Sequence, residues 1–332
     1  MKQTLLIAGF LSLGWISLTS SSTSNAIARI HKNVRSTTLS NKPDDLQGTI
    51  SISGAFALYP ITVKWAEEFK KIHPNVKIDI SAGGAGKGVT DVLSGVTDIG
   101  LLSRDLTPDE IKKGAFPFAV TKDAVVPVIS SSNPYLKDLQ ARGIKKDALN
   151  NIFITGEVRS WGQLGLKSNA SIHVYTRSDA AGAAETWAKY FGKKQEDLQG
   201  VAVYGDPGLA QAVKKDPAGI GFNNIVYVYD SKTKQPTNGV VPLPIDLNNN
   251  GKIDPDENFY GSIEQITAAI AAGKYPAPPA RDLYFLTKGA PKNEAVREFI
   301  KYVLTDGQQY VKDAGYINLS QEKINASLTK LK

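Results

Sequence analysis

Cysteine is absent from this 332-residue chain. That excludes a disulfide framework, a zinc–thiolate centre, a cysteine nucleophile and any cysteine-borne lipid anchor. Histidine is scarce: His31, His73 and His173 stand far apart, without metal-ligand spacing and without an H-E-x-x-H pattern. His73 falls at the end of a predicted helix, where it serves the dipole rather than catalysis. No G-x-S-x-G nucleophile elbow occurs. The run Gly83–Gly88 fails as a P-loop, because Ser81 replaces the first glycine and Gly88 the hydroxyl residue after Lys87. Enzyme chemistry therefore has no visible nucleophile, metal or nucleotide cradle. Beyond the first residues no stretch is apolar enough to span a bilayer, so the mature chain is expected to be soluble.

Charge is not scarce, but it is dispersed. The formal charge is +7, with 39 basic residues scattered among 32 acidic ones. No basic stripe with interleaved aromatics forms, which argues for a solvated cationic surface and against nucleic acid. Lys2, the apolar stretch Leu5–Leu18 and the small polar residues up to Ala26 predict a cleaved export signal over residues 1–26. Residues 27–46 are polar and irregular, as in a flexible leader. An exported chain without an anchor fits a periplasm.

From Thr49 the chain alternates strand and helix patterns. Thr49–Ser53, Val76–Ile80 and Asp98–Leu102 read as strands; Leu58, Ile61, Trp65, Phe69 and Ile72 share one helical face. Thr107 and Pro108 start a short helix to Lys113, and Asp123–Ser130 is a long apolar strand. After Asn133-Pro134 come a strand at Ser171–Thr176, a helix at Ala183–Phe191 and a strand starting at Ala218–Phe222. Asp282–Thr287 is a strand and Glu294–Ala314 a long helix. The expected fold is α/β and two-lobed, each lobe a mostly parallel sheet flanked by helices, with a ligand cleft between. Residues 47–130 plus 283–332 would form one lobe and 131–282 the other.

Three glycine-rich loops lie between strands and helices: Gly54–Ala57, Ala82–Gly88 and Arg177–Ala183. Each presents backbone N–H groups at a helix start, where the dipole favours negative charge. Together with Arg177 they describe a socket for a small oxyanion. The competing reading is structural, with ordinary α/β turns and Arg177–Asp179 as an ion pair.

The segment Asp246-Leu247-Asn248-Asn249-Asn250-Gly251-Lys252-Ile253-Asp254-Pro255-Asp256-Glu257 matches the twelve-residue EF-hand calcium loop. Asp246, Asn248 and Asn250 supply side-chain oxygens, Lys252 its carbonyl, Asp254 a direct or water-bridged oxygen, and Glu257 a bidentate carboxylate. The entering segment Gly239–Ile245 reads as extended, whereas a helix follows through Ile263 to Ala271. A lone loop of this kind predicts a structural calcium ion of weak affinity. The alternative is a polar turn without metal.

In order and spacing, Ile52–Pro60, Gly83–Gly88, Asp98–Arg104, Trp161–Gly165, Arg177-Ser178-Asp179, Asp306-Gly307-Gln308 and Ala314-Gly315-Tyr316 resemble the periplasmic phosphate-binding protein family, soluble components of phosphate ABC importers. The resemblance runs from about Thr49 to Leu319. It implies a dehydrated phosphate held at helix N-termini by backbone amides, hydroxyls and one arginine. It makes Arg177 that arginine, Asp179 the carboxylate that orients it, and Gly182 with its neighbours the amide donors. The implied contact set is Ala57, Leu58, Ala85, Gly86, Ser103, Arg104, Arg177, Asp179, Ala181, Gly182 and Ala183. Alanine stands at positions 57, 85, 181 and 183 where the family has Ser or Thr, and Ser103 stands where a proton-accepting carboxylate can be. Each lost charge-assisted hydrogen bond is worth about 1.5–3 kcal/mol. Backbone dipoles remain, Arg104 or Lys87 adds positive charge, and the alanines leave volume for a larger anion or an organic phosphate. The expected function is capture of an oxyanion, first of all phosphate, by a monomer that delivers it to an inner-membrane permease. The alternative is a calcium-stabilised scaffold or signalling partner of the same fold that has lost the ligand or binds a different anion. A phosphoester hydrolase would need a nucleophile the chain does not offer.

Overall fold

In the computed structural model the described residues are 46–332; the expected export signal and the leader up to residue 45 lie outside them. Among the described residues eleven strands run in chain order as β1 (Gly48–Gly54), β2 (Val76–Ala82), β3 (Ile99–Leu102), β4 (Ala115–Ser130), β5 (Ile144–Lys145) and β6 (His173–Arg177), then β7 (Val201–Val203), β8 (Gly219–Asn224), β9 (Val240–Pro242), β10 (Ile245–Asp246) and β11 (Ala280–Lys288). The main sheet has the order β2-β1-β3-β11-β4-β8-β6-β7, with β9 beside β4, while β10 and β5 form a separate parallel pair. β1, β2 and β3 are mutually parallel, as are β6, β7 and β8, and β4 and β11 run antiparallel between the two groups.

β4 joins the two halves. Residues 115–124 pair with β11, and residues 125–129 pair with β8. The apolar side chains follow this division into two cores. Ile50, Ile52, Trp65, Phe69, Leu101, Phe118, Phe285 and Phe299 pack in the first. Ala124, Val125, Val128, Phe153, Trp187, Phe222 and Ile266 pack in the second. Each buried Val, Leu, Ile or Phe side chain among them stabilises its core by about 1.5–3 kcal/mol. The second half of β4 thus belongs to the second core by packing.

Local sequence explains the elements that flank the cleft. The helix Tyr59–Ile72 carries Pro60 in its first turn and buries Ile61, Trp65 and Phe69 on one face. The helix Pro108–Lys112 is closed by a capping box between Thr107 and Glu110. The helix Ile263–Ala271 follows the calcium-type loop where the pattern places it.

Two expectations change. The helix Glu294–Leu304 stops ten residues short of the predicted Ala314, because Thr305 leaves helical geometry (φ −119°, ψ −98°) and a 3-10 turn Asp306–Tyr310 follows. That break lets the Gly307 carbonyl accept from the buried Trp65 indole at 2.8 Å. β4 also begins eight residues before Asp123. Pro117 masks this start in the sequence; there the ladder runs along the β11 side, the other side carrying a single bridge farther on, between Lys122 and Ile317. The helices Leu136–Arg142, Lys146–Phe153 and Gly205–Lys215 carry weaker patterns and come from the structure alone.

Candidate functional site

The first glycine-rich loops are gathered at the ends of β1, β2 and β3. The Ala55 amide donates to Leu101 O at 2.9 Å, and the Gly83 and Gly84 amides donate to Gly54 O at 2.9 and 3.1 Å. Tyr316 reaches back from the C-terminal segment, its hydroxyl donating to Ala57 O at 2.7 Å. The Ala314-Gly315-Tyr316 motif therefore holds the first loop in place. Ala57, Leu58, Ala85 and Ser103 are all buried.

The segment Arg177–Ala183, after β6, packs directly on this group. Gly86 N–H donates to Ala180 O at 3.0 Å. Gly84 sits at φ +92°, and a Cβ there would lie 2.6 Å from Asp179 Oδ2. A Cβ on Gly182 would collide with Ser103, so that position too requires glycine. The structure thus brings the predicted residues from both halves into one place. It also closes the space between them: Ala181 and Ala183 are buried, and Ala181 N–H is taken by Gln195 Oε1 at 3.0 Å. The expectation that these loops present free amides is corrected at Gly83, Gly84, Gly86 and Ala181, whose N–H groups have protein partners.

Arg177 is likewise engaged. Its Nε and Nη2 donate to Asp179 at 2.8 and 2.6 Å, and its Nη1 donates to Asp206 Oδ2 at 2.6 Å. Its guanidinium also lies over the Phe56 ring, 5.5 Å from the centroid. Burial works against the charge, but Asp206 and Asp179 outweigh it and hold the guanidinium protonated more firmly than usual. Three of the five N–H donors of the group are therefore occupied. Arg104 forks onto Glu110 at 2.9 and 2.7 Å, and Lys87 pairs with Asp91. Neither is a free positive charge for the socket, contrary to expectation.

The network continues through residues that the sequence pattern does not single out. Asn224 Nδ2 donates to Asp206, and Asn223 Nδ2 donates to Asp206 O at 2.9 Å. Arg281 donates to Asn224 Oδ1, to Gly182 O at 2.7 Å and to Asp123 Oδ1 at 3.0 Å. Burial pushes the Asp123 carboxyl up, opposed by the pull of Arg281. Asp123, Asp179 and Asp206 thus face Arg177 and Arg281 in one cluster. In sequence Asp123 opens one predicted strand and Arg281 stands just before another, each beside a second charged residue, so nothing local marks them as partners.

The calcium-type loop folds around two buried carboxylates, Asp246 and Glu257. Asp246 accepts from the Asn250 and Gly251 amides, and Glu257 from those of Leu247, Asn248 and Asp254. Asn249 and Gly251 take positive φ (63° and 84°), which turns the chain. Lys252, Asn248 and Asn250 hold Asp254 below its usual pKa. No trio of His, Asp or Glu side chains converges as a metal group among the described residues. The oxygens on offer here are mixed carboxylate, amide and carbonyl, a donor set that suits calcium.

Residues 40–307 match the family model of a PBP superfamily domain. The chain is 29% identical over 281 residues to the phosphate-binding protein PstS of Bacillus subtilis, covering 83% of each. It is 25% identical over 325 residues to PstS of Methanocaldococcus jannaschii, covering 82% of this chain and 83% of that one. In fold it is similar to a substrate-binding protein of Clostridium perfringens solved with bound phosphate, with a TM-score of 0.68, 23% identity, and coverage of 82% and 100%. It is also similar to an ABC-type phosphate transport receptor of Vibrio cholerae, with a TM-score of 0.59, 22% identity, and coverage of 81% and 100%. These likenesses establish the two-lobed α/β fold.

Removing one partner from a buried pair leaves an uncompensated charge, at a cost of about 3–5 kcal/mol. Asp206→Ala is expected near the low end, about 3 kcal/mol, because Asp179 remains on Arg177. Urea denaturation measures this, and an unchanged midpoint would remove Asp206 from the network.

Proposed function

The chain belongs to the PBP superfamily, and on that premise we propose that it is an extracytoplasmic solute-binding protein. It captures an oxyanion, first of all phosphate, between its two lobes and passes it to an ABC-type permease in the inner membrane. It acts as a periplasmic monomer, exported by a cleaved signal, and does no chemistry on its ligand. One observation carries this reading. The Gly83–Gly86 loop and Ser103 meet Arg177–Gly182 across the boundary between the two cores, as lobes that close on a solute must do. Helix starts and arginine are the physical means by which a protein replaces the hydration of an anion. A specific observation favours the second reading, a scaffold of the same fold without this ligand: Arg177 is already paired with Asp179 and Asp206.

Calorimetry of the phosphate-stripped protein with phosphate, sulfate, molybdate and a small phosphoester separates the two. The transport reading expects micromolar or tighter binding of one anion per monomer. Heat from none of them would leave the scaffold reading.

Loop 246–257 is proposed to hold a structural calcium ion through Asp246, Asn248, Asn250, the Lys252 carbonyl, Asp254 and Glu257. The support is the burial of Asp246 and Glu257, neither paired with a cation within ion-pair distance among the described residues. The ion would fasten the loop to its neighbours. Ile253 N–H already donates to Ala141 O at 2.9 Å, and β10 pairs with β5. Calcium at about ten times the Kd of a weak site stabilises by about 1.4 kcal/mol, so millimolar calcium should raise Tm by a few degrees over chelator. Glu257→Gln should abolish the difference. Equal Tm in calcium and chelator would rule the ion out.

A further inference from the structure

An aromatic side chain that is part of neither core crosses the boundary between the lobes. Phe56 opens the 3-10 turn Phe56–Leu58, which leads into the helix Tyr59–Ile72. Its neighbours Ala55, Ala57 and Leu58 are buried in the first core, whereas Phe56 itself is half-buried and packs in neither. Its ring contacts lie in the second lobe.

Three segments of that lobe form a seat for it. The Arg177 guanidinium, at the end of β6, lies over the ring, 5.5 Å from its centroid. The Tyr204 ring meets it edge-on, with centroids 5.8 Å apart and planes at 84°. Gly205 makes the floor: it sits at φ +73°, and a Cβ there would come within 2.9 Å of Phe56 Cζ. Any other residue at 205 would be strained and would push the ring out. The Phe56 backbone is held as well, because the Tyr227 hydroxyl donates to its carbonyl at 2.9 Å. Tyr227 lies on the helix Ile225–Val228, whose two end residues are buried in the second core. A knob from the first lobe thus fits a hole in the second.

The seat is tied to the arginine of the site. Gly205 N–H donates to Asp179 Oδ1 at 3.1 Å, and Asp206 beside it pairs with Arg177. The ring covers one face of the guanidinium without using its N–H groups, so the two that Asp179 and Asp206 leave remain for an anion. A π face attracts the cation, and the apolar ring keeps water from it, which strengthens its other electrostatic contacts. Resting on the solute-binding reading, we infer that Phe56 is a closure latch: a positioning residue that seats in the second lobe and sets how long an anion beside Arg177 is retained. Seating favours the closed state over the open one, and retention rises by the same factor.

Two measurements with inorganic phosphate on the mature chain test this: calorimetry for Kd, and rapid-filtration chase of radiolabelled phosphate for the dissociation rate. Phe56 lies outside both cores, so Phe56→Ala should keep Tm close to that of wild type. It should release phosphate about tenfold faster, with the association rate nearly unchanged. Tyr204→Ala, which removes an exposed part of the seat from the other lobe, should act in the same direction by less. Equal dissociation rates in wild type and Phe56→Ala would overturn the latch and leave the solute-binding reading standing. A loss of affinity carried by slower association would overturn the latch as well, since Phe56 would then shape the open site. Wild type that binds no phosphate would overturn the solute-binding reading and the latch with it.

Discussion

Arg177, clamped between Asp179 and Asp206, is the contact around which the rest of the interface is arranged. A buried guanidinium needs countercharge, and here two carboxylates supply it at 2.6 Å. Asp206 then needs donors of its own, which brings Asn223 and Asn224 to the end of β8. Asn224 passes the connection to Arg281 on β11, and Arg281 to Asp123 on β4. The two strands that join the lobes are therefore tied to the binding loops by one chain of paired charges. Any change in lobe angle must strain or rearrange it.

This arrangement alters what the glycine loops do. In sequence they describe an anion socket; in the structure they let two backbones touch. Gly84 leaves room for the Asp179 carboxylate, and Gly182 leaves room for Ser103. The alanines at 57, 85, 181 and 183 lie buried in the two cores rather than open to a solute. Small residues thus serve the close approach of the two lobes.

Much of this was legible in the residues. Alternating patterns and turn glycines located β1, β2, β3 and the helices after them, since local periodicity is enough for half-buried elements. Arg177 and Asp179 were named together by the family resemblance, and the two do pair. Asp206, Asn224, Arg281 and Asp123 were not, because their pairing spans up to 158 residues of chain and leaves no local spacing to read. The stop at Thr305 was also hidden, as Val303, Leu304 and Val311 continue an apolar helical stripe across it. Tertiary contact between Gly307 and Trp65 decided that point. The calcium-type loop was the reverse case: all its donors lie within twelve consecutive residues, so its shape followed from the sequence alone.

The most direct measurement is a crystal structure of the mature protein grown with phosphate. The account predicts phosphate between the lobes, at the helix starts of Ala85 and Gly182 and beside Arg177. Phosphate absent from that place in crystals grown at saturating concentration would contradict it.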